Sequence, residues 1–136
     1  MKIKKILLSY YKSIIVFLLI FIASVIPGDK VQKVNWFNLN NVDKLFHLGM
    51  YFCLSFVLIL DLIKSMSGFS LAKIFGYTAL ITVSYGGFLE IFQSVLTNSR
   101  SGDLMDLVFN IAGTILAVII WVLIRKIKLQ IPFFLL

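Results

Sequence analysis

Four apolar runs, residues 6–26, 45–63, 74–93 and 107–124, leave this chain few folds to choose from. Each holds about 18 to 21 residues, roughly 27 to 32 Å as a helix at 1.5 Å per residue, which matches the hydrocarbon core of a bilayer. Lipid offers the backbone no hydrogen bonds, so a spanning run has to satisfy its own, and a helix does so within one segment. The expected fold is therefore all-α, an integral membrane four-helix bundle of four transmembrane helices. Composition agrees, since 60% of the 136 residues are hydrophobic and the mean hydropathy is +1.01. Too little polar surface remains to clothe a soluble globule of this size. No repeat, low-complexity tract or linker divides the chain, so a single domain over 1–136 is expected.

A net charge of +7 in a soluble protein would point to nucleic acid, but here the basic residues flank the apolar runs and form no nucleic-acid face. Their placement orients the chain instead. Nine lysines and arginines fall in the N-terminal region, the second loop and the tail, against four (Lys30, Lys33, Lys44 and Arg100) in the first and third loops. The positive-inside bias then puts both termini in the cytoplasm. Lys12 interrupts the first run early enough to snorkel to the headgroups. The stretch Ile22-Ala23-Ser24-Val25-Ile26-Pro27 lacks a small-x-small cleavage pattern, so a retained helix is expected over a signal peptide. Trp36, Phe37 and Trp121 suit interfacial belts, and the tail 131–136 is too short to span. The one cysteine, Cys53, excludes an internal disulfide.

With that topology the polar residues collect at the outer end. The second run opens with Asp43-Lys44-x-x-His47-x-x-x-Tyr51, and the third closes with Gly86-Gly87-x-x-Glu90-x-x-Gln93. The fourth is introduced by Arg100-x-x-Asp103-x-x-Asp106-x-x-x-Asn110-x-x-Gly113. Residues three or four apart share a helix face, so each motif forms one stripe. Polar stripes at one depth are costly against lipid and are expected to face each other. Glu90 lies about one turn inside the boundary and needs a cation or donor, for which Arg100, Lys44 and His47 are available.

These three motifs, in this order and spacing from about Asp43 to Ala117, closely resemble the VanZ-like membrane proteins, named for an accessory protein of teicoplanin resistance. One departure is Asn98-Ser99 before Arg100, where family members often carry Pro-Gly. The resemblance implies a multi-pass protein of the bacterial cytoplasmic membrane, associated with cell-envelope tolerance of glycopeptides, and it implies no particular reaction.

Read as a pocket, Lys44, His47 and Arg100 would receive an anionic group, Arg100 through its planar fork. Glu90, Asp103 and Asp106 would hold those cations, with Tyr51, Gln93 and Asn110 orienting the network and Asp43 supporting it beside His47. The partners expected are membrane lipids or a lipid-linked cell-wall precursor, and a homo-oligomer is compatible with this. Read as a scaffold, the same residues fix helix register. Asp43, Ser101 or Asp103 can cap helices, Gly86, Gly87 and Gly113 are packing sites, and Asp61 pairs with Lys64 at the inner end. An enzyme using His47 or Glu90 as the catalytic acid-base is the weaker alternative, because no nucleophile elbow, P-loop or phosphatase signature is present. A metal site from His47, Glu90, Asp103 and Asp106 has the ligand types without a supporting spacing, so no metal and no cofactor are expected. A transporter is disfavoured because the middles of the runs read as apolar.

Overall fold

The computed structural model describes residues 2–25, 42–96 and 104–130. They form α1 (Lys2–Val25), α2 (Val42–Ser65), α3 (Leu71–Leu96) and α4 (Leu104–Gln130), with no strand among the described residues. All four are long and apolar enough to cross a membrane. The chain's two prolines, Pro27 and Pro132, fall outside these helices, so no helix interior loses a donor. Each helix outruns its apolar run at one or both ends. In α4 the extra turns carry the exposed Arg125 and Lys126, beyond the apolar run.

The bundle is built around α2, which packs against α1, α3 and α4, while α1 and α4 make no contact with each other among the described residues. Leu80, Ile91, Val95, Leu104, Ile115 and Leu123 point outward, which only lipid tolerates on this scale. Since lipid tails are as apolar as leucine, helix association here rests on close packing and hydrogen bonds between helices. Gly113 supplies the closest packing. A Cβ at that position would run into the Leu48 carbonyl oxygen and the Phe52 nitrogen, so the α4 backbone lies directly on that of α2. Ala117, one turn further along, is fully buried.

Two apolar clusters fill the inside. One joins Ile20, Tyr51, Leu54 and Leu89 across α1, α2 and α3. The other joins Leu58, Ile59, Leu62 and Ile74, with Phe75 and Trp121 packed beside them. The α2–α3 hairpin turns through Gly68, whose φ of +105° suits glycine, and Ser70 then caps α3 by accepting from the Lys73 amide at 3.4 Å.

Asp61 behaves differently from its expected pairing with Lys64. It is buried and accepts from both the Ser13 hydroxyl (2.7 Å) and the Ser13 amide (3.2 Å), while Lys64 is exposed. This acid therefore ties α2 to α1. Two more bonds secure α1: Tyr85 donates to the Phe17 carbonyl at 2.8 Å, and Gln93 Nε2 donates to the Ser24 carbonyl at 3.0 Å.

Candidate functional site

The start of α2, the end of α3 and the start of α4 meet at one end of the bundle. Asp43 and Asp106 both fall in the first turns of their helices, where the macrodipole favours an acid. Asp43 is exposed, Lys44 half-buried, and His47, Tyr51, Glu90, Gln93, Asp106 and Asn110 are buried. Asp43 therefore sits within α2 and not ahead of it as a cap.

His47 is the centre of the arrangement. Its Nδ1 lies 3.1 Å from the Asn110 amide oxygen, and its Nε2 lies 3.7 Å from Asp106 Oδ2. An amide oxygen only accepts, so Nδ1 carries the proton in that bond. Asp43, His47 and Asp106 each offer a ligand atom within 4.8 Å of the others, so these three residues can hold a metal ion. The grouping takes in Asp43 where the sequence suggested Glu90 and Asp103, the latter outside the described residues.

One layer deeper, Tyr51 Oη and Asn110 Nδ2 are buried with no hydrogen-bond partner among the described residues. Both converge on Gly86. A Cβ there would stand 2.9 Å from Asn110 Nδ2 and 3.2 Å from Tyr51 Oη, so the missing side chain leaves these donors their room. Gly87 beside it faces open space and is not the packing site that the sequence suggested. Glu90 follows Gly86 by one turn on the same face of α3.

The stripes also run deeper than expected. Ser55 donates to Thr114 Oγ1 at 3.0 Å, Thr82 and Thr114 hydroxyls are 3.1 Å apart, Thr114 donates back to the Asn110 carbonyl, and Thr82 to the Thr78 carbonyl. All three hydroxyls are buried, which corrects the reading of an apolar middle. The spacing contains the signal: 43, 47, 51, 55 on α2, 106, 110, 114 on α4 and 78, 82, 86, 90 on α3 each advance by four.

Of the expected site residues, the structure brings together Asp43, His47, Tyr51, Asp106 and Asn110, while Gln93 turns to α1. Arg100 and Asp103 lie outside the described residues, as do Ser101, Trp36, Phe37 and the tail.

The VanZ/LLP1 family matches residues 7–125, most of the chain and all of the elements that build this site. The chain belongs to the VanZ/LLP1 family. No curated protein and no solved structure matches it. The polar layer at the end of α2, α3 and α4 is thus a feature of a VanZ-like membrane protein, and its stripes coincide with the motifs that carried the resemblance.

Proposed function

We propose that this protein is a cell-envelope accessory factor whose polar pocket receives the anionic head group of a lipid or lipid-linked cell-wall precursor. The observation that carries this reading is the pair of buried donors without partners among the described residues, Tyr51 Oη and Asn110 Nδ2, which lie close against Gly86 in the layer beneath His47. A buried donor left without an acceptor is expensive, and an anionic oxygen is the group that such donors await. In this reading Lys44 and Arg100 supply charge at the mouth, and Arg100 grips through two parallel bonds. The protein sits in the bacterial cytoplasmic membrane with both termini inside, so the pocket opens outward. The charge bias of the loops supports that orientation, and the family supports the link to teicoplanin tolerance.

The reading is tested by purifying the whole protein in mild detergent and identifying bound lipid by mass spectrometry. A phospholipid or polyprenyl-phosphate species retained by wild type and lost from His47→Gln and Arg100→Lys, at equal accumulation, is the expected result. Retention of the same lipids by both variants would leave a purely structural network as the better account. The hydroxyl bonds around Thr114 favour that second reading for the deeper layer. Orientation is checked in a Cys53→Ser background. A cysteine at Ser99 should react with an impermeant thiol reagent in intact cells and one at Ser67 should not.

A further inference from the structure

The direction of the His47 lone pair raises a separate question. With Nδ1 donating to Asn110, the neutral ring turns an unprotonated Nε2 toward Asp106 Oδ2 at 3.7 Å. That separation is too long for a hydrogen bond, and a lone pair facing a carboxylate is repulsive unless a cation stands between them. Two ligands each about 2.1 Å from one ion lie roughly 3.4 Å apart at the tetrahedral angle and about 4.2 Å apart when opposed, so 3.7 Å falls in the range one ion spans. Asp43 completes the set within 4.8 Å, and its exposed side chain can close the remaining gap and gives an ion a way in.

We propose that Asp43, His47 and Asp106 bind a divalent transition-metal ion, zinc or manganese, with Asn110 as a positioning residue. Imidazole selects such ions over magnesium and calcium, and two carboxylates neutralise the ion's charge at a membrane boundary. Asn110 plays the part of the outer group that holds a ligating histidine in one tautomer. Asn110 Nδ2 and Tyr51 Oη, both buried and without partners among the described residues, lie one layer beneath the three ligands, on the Nδ1 side of the ring. Three protein ligands leave a coordination position open. That this position takes a head-group phosphate rests on the function proposed above, whereas the ion site itself does not.

The competing arrangement is a protonated His47 between the two acids with no metal. To separate them, the full chain in detergent is stripped with chelator, incubated with zinc chloride or manganese chloride, and passed through metal-free gel filtration before elemental analysis. Wild type should retain a single ion per chain, as should Asp61→Asn, whose buried acid lies elsewhere. Asp43→Asn and His47→Gln should retain none while eluting as the same monodisperse species. Asn110→Ala should bind the ion about 10 to 100-fold more weakly. If His47→Gln fails to fold, Asp43→Asn alone decides, because the exposed Asp43 contributes little to packing. Wild type taking up neither metal, or Asp43→Asn retaining as much as wild type, overturns the site. Lipid measured in the same samples keeps the two proposals apart: metal without lipid sinks the head-group pocket alone, and lipid without metal sinks the ion site alone.

Discussion

Asp61 and Asp106 are both acids buried where α2 meets a neighbouring helix, and they are surrounded in different ways. Asp61 is met by two donors of one residue, the hydroxyl and amide of Ser13. Asp106, at the start of α4, lies 3.7 Å from a histidine nitrogen of α2, with a second acid, Asp43 of α2, close by. A carboxylate supplied with short donors from its own fold is complete as a structural tie, and breaking it chiefly loosens helices. Asp106 instead faces the one histidine across a distance too long for a hydrogen bond, at the end of α2 where polar residues of three helices gather. The two ends of α2 therefore differ in what surrounds their acids: at one end a tie between two helices, and at the other the polar layer for which binding is proposed.

The strongest test of that division is steric and concerns neither acid. Gly113→Leu should cost about 3 kcal/mol or more, since the new side chain meets the α2 backbone and not a side chain that can turn away. Thermal unfolding in detergent should show it, with a large loss of monodisperse protein. Gly87→Leu faces open space and should change stability by no more than about 0.5 kcal/mol. Equal stability of the two variants would mean that α2 and α4 do not approach at Gly113.

The acids come next. Asp61→Ala removes hydrogen bonds to a charged group and should cost about 1.5 to 3 kcal/mol, with lipid and metal retention unchanged. Asp106→Asn should instead lose bound ligand, whatever its effect on unfolding temperature. If Asp106→Asn unfolds as readily as Asp61→Ala and keeps its ligand, both ends are scaffold. Between these and the smallest effects lies Gln93→Ala, which removes the bond to the Ser24 carbonyl. It should cost about 1 kcal/mol and raise hydrogen exchange in α1 more than in α4.

How much of this was legible in the sequence depends on which signal each part uses. The four helices were, because hydropathy over about 20 residues is a sum that single residues cannot overturn. The meeting of Asp43 and His47 with Asp106 and Asn110 was too, because polar stripes at one depth have nowhere else to go. Asp61 was misread because Lys64 lies three residues away on its own helix, and only the bundle reveals that Ser13 of α1 is nearer its carboxylate. Thr78, Thr82, Ser55 and Thr114 continued stripes already seen, but a lone hydroxyl in an apolar run can always bond its own helix, as Thr78 does to the Ile74 carbonyl. The metal-capable set was legible only in part, His47 and Asp106 being weighed with Glu90 and Asp103 in place of Asp43, because its ligands come from two helices while motif spacing reads only one.

That ambiguity of hydroxyls gives the finest test of where holding ends and binding begins. Ser55, Thr82 and Thr114 link α2, α3 and α4 just beneath the polar layer, with hydroxyl separations of 3.0 and 3.1 Å. Hydrogen bonds between helices in lipid average about 0.6 kcal/mol, because the separated helices find other partners for the same groups. Ser55→Ala and Thr114→Val should each lower stability by about that much, and the double variant should lose less than the two losses added, since the first change already removes their shared bond. The Thr114 hydroxyl also lies 3.1 Å from that of Thr82, so Thr114→Val should exceed Ser55→Ala. The same variants should leave lipid and metal retention intact if the hydroxyls belong to the scaffold. If retention falls with Thr114→Val and stability does not, the binding layer reaches a turn deeper than Asn110, and the boundary between the two ends of α2 lies below the Ser55–Thr114 contact.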